Sequence, residues 1–88
     1  MKLYLILLIA PLALAGHWSA CVVPGGKHDK DATVSCCSDQ EGAGPEGLTY
    51  SGKYKDCRNS PLSTGRNNID SGKFASCCTD HGFGSVGE

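Results

Sequence analysis

Large apolar side chains are scarce in this sequence. Beyond residue 15 it has twelve of them, aromatics included, against twelve glycines, and each glycine raises the entropy lost when the chain orders. In a domain of this size a hydrophobic core rarely supplies more than about 3 to 5 kcal/mol, which excludes buried hydrocarbon as the sole source of a fold. The one long apolar run, Leu3 to Leu14, is broken by Pro11 and falls short of the roughly 20 residues a spanning helix needs. No C-terminal apolar tail points to a lipid anchor. An excess of basic charge is missing too. Eight Lys and Arg face nine Asp and Glu, and the signs alternate in Lys27-His28-Asp29-Lys30-Asp31, so no basic face suits nucleic acid or an anionic membrane. There is no Gly-x-Ser-x-Gly nucleophile motif. An N-glycosylation acceptor is absent as well, since Asn59-Ser60 is followed by Pro61.

What is present begins with a leader. Met1 and Lys2 give a positive start, the apolar run follows, and Ala13-Leu14-Ala15 offers a small-x-small cleavage site. The expectation is therefore a signal peptide over 1–15 and a mature chain from Gly16 to Glu88, 73 of the 88 residues, forming one domain. Without Lys2 its net charge is −2, from seven Lys and Arg against nine Asp and Glu. All six cysteines, Cys21, Cys36, Cys37, Cys57, Cys77 and Cys78, lie in that region. An even count behind a leader reads as a disulfide framework in an extracellular, secreted protein. Each bridge contributes typically about 2 to 4 kcal/mol, so reduction is expected to unfold the protein.

The cysteines sit in a repeat. Ser35-Cys36-Cys37-Ser38-Asp39 returns 41 residues later as Ser76-Cys77-Cys78-Thr79-Asp80, and a single cysteine precedes each doublet. The chain thus reads as two related halves, about 16–47 and 48–88. Phe74, Cys77, Cys78 and His81 fall on one face of a helix from Ser71 to His81, capped by Asp70 or Ser71 and ended by Gly82. A second helix is expected from Asp31 to Glu41, with Asp31 as its cap and Gly42 at its end, although β-branched Thr33 and Val34 weaken it. Ala20 to Val23 reads as a short strand. So does Leu48 to Lys55, in which Leu48, Tyr50, Gly52 and Tyr54 alternate with polar residues and Gly52 marks a bulge. Glu41 to Gly47 and Arg58 to Asn68 read as loops, and the tail from Phe83 as an edge strand or disordered. The fold class is small disulfide-rich α+β: two short helices carrying the doublets, a small antiparallel sheet and long loops.

Six cysteines allow 15 pairings, five of them with a strained bond between neighbours. If the halves are exchanged by a twofold, the pairing must map onto itself. Cys21 with Cys77, Cys36 with Cys57 and Cys37 with Cys78 does so and ties the halves together; within-half bridges such as Cys21 with Cys36 satisfy the symmetry equally. No metal or cofactor is expected, because adjacent doublets do not match the spaced C-x-x-C pairs of zinc sites. Copper at an exposed Gly16/His17 terminus is the sharper metal reading, outweighed by a plain surface histidine. His81, beside the second doublet, reads as a packing residue or a complement to the helix dipole rather than a catalyst. Trp18, Tyr50 and Tyr54 would make a sugar-stacking platform if exposed, but so thin a core is expected to claim them. No catalytic residue is assigned.

The leader, the single-doublet-single-doublet order of cysteines and Phe74-Ala75-Ser76-Cys77-Cys78 near the end resemble small secreted cysteine-rich proteins of filamentous fungi, many of them effector candidates, a resemblance that implies a role in virulence. Hydrophobins also carry two doublets, but they have eight cysteines and an exposed apolar patch. The resemblance implies export and a non-enzymatic, monomeric protein whose partner is another protein, in a host or the surroundings, met through the loops Glu41 to Gly47 and Arg58 to Asn68. An antimicrobial or toxin-like peptide is the alternative, disfavoured by the negative charge. A protease inhibitor is a third, and it requires an exposed rigid loop.

Overall fold

The computed structural model describes residues 15–63 and 69–88; residues 1–14 of the expected leader and 64–68 of the second expected loop lie outside them. Among the described residues the elements run β1 (Ala15–Gly16), β2 (Trp18–Val22), α1 (Lys30–Ser38), β3 (Leu48–Ser51), β4 (Asp56–Asn59), β5 (Ile69–Asp70), α2 (Ser71–Asp80) and β6 (Gly84–Gly87). Two helices lie against a four-stranded antiparallel sheet of order β3-β4-β2-β6, and β1 pairs with β5 beside it. This is the small disulfide-rich α+β architecture that the sequence implies.

Both helices open on an aspartate. Asp29 caps α1 by accepting from the Ala32 N–H, and Asp70 caps α2 by accepting from the Lys73 N–H. Asp29 therefore takes the capping role expected of Asp31, and it stands 41 residues before Asp70, the same interval as between the doublets. Helix α2 ends as its sequence predicts, at Gly82, whose φ of 87° suits a residue without a Cβ. In α1 the β-branched Thr33 is fully buried, and its Oγ1 accepts the Cys21 N–H at 3.0 Å. That amide lies beyond the end of the β2–β4 ladder, which covers only Trp18 and Ser19. The hydroxyl thus satisfies a buried donor the sheet leaves open, offsetting the poor helix propensity of threonine.

The sheet order reads the same from either end once the halves are exchanged. Strands β4 and β2 occupy the centre, β3 and β6 the two edges, and each half contributes a strand, a helix and a strand. The halves meet in the turn at 52–55, between β3 and β4, a few residues later than the spacing of the cysteines suggests. That turn also corrects the single strand expected over Leu48 to Lys55: Gly52 and Tyr54 belong to the turn, and Arg58 and Asn59, expected in a loop, end β4. The tail is an edge strand.

The disulfides are Cys21–Cys78, Cys36–Cys77 and Cys37–Cys57. All six cysteines are bonded and every bridge joins the halves, as expected, but the pairing differs from Cys21 with Cys77, Cys36 with Cys57 and Cys37 with Cys78. Both sets obey the twofold, and the phase of the helices decides between them. Cys21 and Cys57 point from the central strands to one face, since Ser19, two residues before Cys21, sits opposite Cys57. Phe74 and Cys78, four apart, are the buried positions of α2, and Cys37 lies likewise over the sheet. The second cysteine of each doublet therefore meets a strand. The first, about 100° around the helix, meets its counterpart on the other helix.

The core between helices and sheet consists of these sulfurs with Leu48, Ile69, Phe74 and Ala32. Gln40, 5% exposed, seals one end, donating through Nε2 to the Asp70 carbonyl and accepting the Asp70 N–H at Oε1. Strand β6 docks through its glycines. A Cβ on Gly87 would lie 2.5 Å from the Trp18 carbonyl oxygen and 2.7 Å from Ser19 Oγ, whereas one on Gly84 meets nothing closer than 3.6 Å. Gly87→Ala is expected to cost about 1 to 3 kcal/mol and Gly84→Ala markedly less, as read from denaturant midpoints; equal costs would show that β6 contributes little to stability.

Candidate functional site

Two surfaces gather side chains that a core of this kind normally hides. The first is a groove of about 300 Å³ lined by Val34 of α1, Ala43, Gly44 and Pro45 of the following loop, and Leu48 and Tyr50 of β3, with Cys37 among its walls. The loop Glu41 to Gly47 stands over it, pinned by backbone hydrogen bonds. Gly44 N–H donates to the Leu48 carbonyl, Leu48 N–H to the Gly42 carbonyl, Gly47 N–H to the Gly44 carbonyl, and Ser60 N–H ties Gly47 to the end of β4. Gly42 and Gly44 adopt positive φ, at 87° and 147°, which this path requires. Val34 is 39% exposed, and Glu41, Pro45 and Glu46 project to solvent.

The second surface is the face of the sheet away from the helices. Trp18 and Thr49 both sit opposite Arg58, so all three share that face. Arg58 Nε and Nη2 donate to the two oxygens of Asp56, each at 2.7 Å, and the Asp56 side chain is only 3% exposed. The hydrogen bond with Asp56 is the main reason the guanidinium stays protonated above its usual range, against the desolvation that works the other way. The Tyr54 ring lies over Arg58, 3.8 Å from Cζ to centroid, and Lys53 Nζ approaches the same ring at 5.2 Å. His28 Nδ1–H donates to the Lys55 carbonyl at 2.8 Å, and its ring lies 6.2 Å from that of Trp18. Lys55 itself holds φ at 61°, a costly conformation for a side-chain-bearing residue.

The aromatics expected in the core are thus at the surface: Trp18 and Tyr50 are half-buried and Tyr54 is 49% exposed. The sulfurs fill the space they would have occupied. Arg58 packs against the Tyr54 ring, and Lys53 Nζ lies near it. Of the second expected loop, Leu62 is 69% exposed and 64–68 lie outside the described residues. Sequence reasoning misses the Asp56–Arg58 pair, although two residues two apart face the same side of a strand, because the apolar alternation runs on through the turn that precedes β4.

His81 is exposed at the C-terminal cap of α2 and does not pack in the core. Among the described residues it forms, with Cys36 and Cys77, one of two clusters of metal-ligating atom types, the other being Cys21, Cys36 and Cys78. Their sulfurs are all bridged and carry no thiolate to offer a metal. His17 is exposed, its backbone N–H donated to the Glu88 carbonyl. Among the described residues no helix is long and apolar enough to cross a membrane. No curated protein and no solved structure matches the chain. A family model does match, over residues 16–88, and the chain belongs to that family, DUF5948, a family of unknown function.

Proposed function

We propose that the protein is exported and acts without catalysis, by binding another protein through the groove beneath the Glu41 to Gly47 loop. The observation that carries this reading is the pairing of a hydrogen-bonded loop with an open apolar groove, in a molecule whose own core is too thin to spare such side chains without a use. Export is supported by the leader, by three disulfides and by a family match that starts at residue 16, where the leader is expected to end. An effector-like role, in the manner of the fungal cysteine-rich proteins it resembles, is one setting for such binding. The same hydrogen-bonded loop favours protease inhibition as a second reading, tested by the residual activity of secreted proteases.

The experiment uses oxidised protein beginning at Gly16, immobilised and exposed to extracellular protein fractions, with Val34→Glu and Tyr50→Ser compared with the parent. A partner retained by the parent should bind at least about tenfold more weakly to both variants, a loss of about 1.4 kcal/mol, with circular dichroism unchanged. Equal retention by folded variants removes the groove from the interface. A secreted product that still carries residues 1–15 would remove the export reading.

A further inference from the structure

We propose that the basic hairpin Lys53 to Arg58 is a second docking surface, adjoining the groove along β3, and that it takes an extended acidic peptide added along the open edge of β3. Charge complementarity identifies the occupant. The chain from Gly16 is net negative, yet Lys53, Lys55 and Arg58 lie within six residues, and the only acid among them, Asp56, is buried and committed to Arg58.

Arg58 is prepared for a carboxylate. Asp56 fixes the Nε–Nη2 edge of its guanidinium and Tyr54 covers a face, which leaves Nη1 and one hydrogen of Nη2 to form the fork that matches a second carboxylate. The side chain is held in place before any ligand arrives, so little rotamer entropy remains to be lost on binding.

The backbone of β3 favours a peptide over an acidic polysaccharide. Leu48 turns its N–H and C=O outward, where Gly42 and Gly44 receive them. Residues two apart on an antiparallel strand aim their backbone groups the same way, so Tyr50 presents its N–H and C=O to the same edge, beyond the point where the loop stops. A peptide strand continuing the loop's pairing would take these groups and set alternate side chains on the face that carries Thr49 and Arg58. A sugar has no backbone amides with which to join such a ladder.

The test is a titration of isotope-labelled, oxidised protein with the blocked hexapeptide Thr-Glu-Thr-Glu-Thr-Glu, followed by backbone amide shifts. Shifts should centre on Tyr50 to Arg58, weaken with added salt and fall at least fivefold in affinity when glutamine replaces glutamate. Lys53→Glu and Tyr54→Ala, exposed turn positions that leave the Asp56–Arg58 pair intact, should reduce affinity at least fivefold with dispersion unchanged. Val34→Ser, a neutral change on the α1 wall of the groove, should leave affinity unchanged, so failure here is separate from failure of the groove. The proposal is overturned by equal binding of the glutamine peptide, by shifts confined to other regions, by tighter binding of polygalacturonate, or by self-association that accounts for the shifts.

Discussion

Replacing Cys21 and Cys78 together with alanine is expected to leave the protein largely unfolded at 25 °C. Their bridge closes a separation of 57 residues, and in the chain-entropy model a loop of that length is worth about 4 kcal/mol. That equals the contribution to be expected of the whole apolar core. Alanine rather than serine keeps hydroxyls out of positions that are fully buried in the native protein. Cys36–Cys77, with a separation of 41, is worth nearly as much, and Cys37–Cys57, with 20, about 3 kcal/mol. Denaturant midpoints for the three double-alanine proteins should follow that order, the Cys37–Cys57 variant being the most stable. A Cys21/Cys78 variant that unfolds cooperatively within about 1 kcal/mol of the parent would refute sulfur as the principal support of this fold.

The second large effect is asymmetric. Arg58→Leu leaves the Asp56 carboxylate without its partner at 3% exposure, and breaking a buried pair from the solvated side costs about 3 to 5 kcal/mol. Asp56→Asn leaves an Arg58 side chain that is 31% exposed and can turn to water, with the amide oxygen still able to accept from it. Its cost should be about 1 kcal/mol. Replacing both residues with leucine should recover most of the Arg58→Leu loss, since no charge is then stranded. Urea unfolding of the three variants decides the matter, and an Asp56→Asn loss equal to that of Arg58→Leu would show that the carboxylate is not sealed off as its exposure indicates.

The elements with strong local signals are legible in the sequence. Helix α2 is the clearest, because Asp70, the apolar spacing of Phe74 and Cys78 and the stop at Gly82 all agree. The loop Glu41 to Gly47 is equally plain from its glycines and proline. The bridging partners are not legible, since two pairings share the same symmetry and the choice lies in how each helix is rotated about its axis. Nor is the location of Trp18 and Tyr54. A count of apolar residues assigns them to the interior, but it does not register the volume that six sulfurs fill. The Asp56–Arg58 pair stays hidden for a different reason: the alternation of Leu48, Tyr50, Gly52 and Tyr54 continues through a turn and disguises where β4 begins.

The crossing of every bridge from one half to the other sets a problem for the chain as it is being made. Cys21, Cys36 and Cys37 leave the ribosome first, and until Cys57 follows none has its proper mate; even then only Cys37 does. The remaining two must wait for the last helix. An oxidant acting before then would leave Cys21 and Cys36, whose sulfurs lie 3.7 Å apart in the finished molecule, with no partner but a wrong one. A wrong link would have to be undone by thiol exchange before the right ones form, so early oxidation would make the yield of correctly joined protein depend on an isomerase.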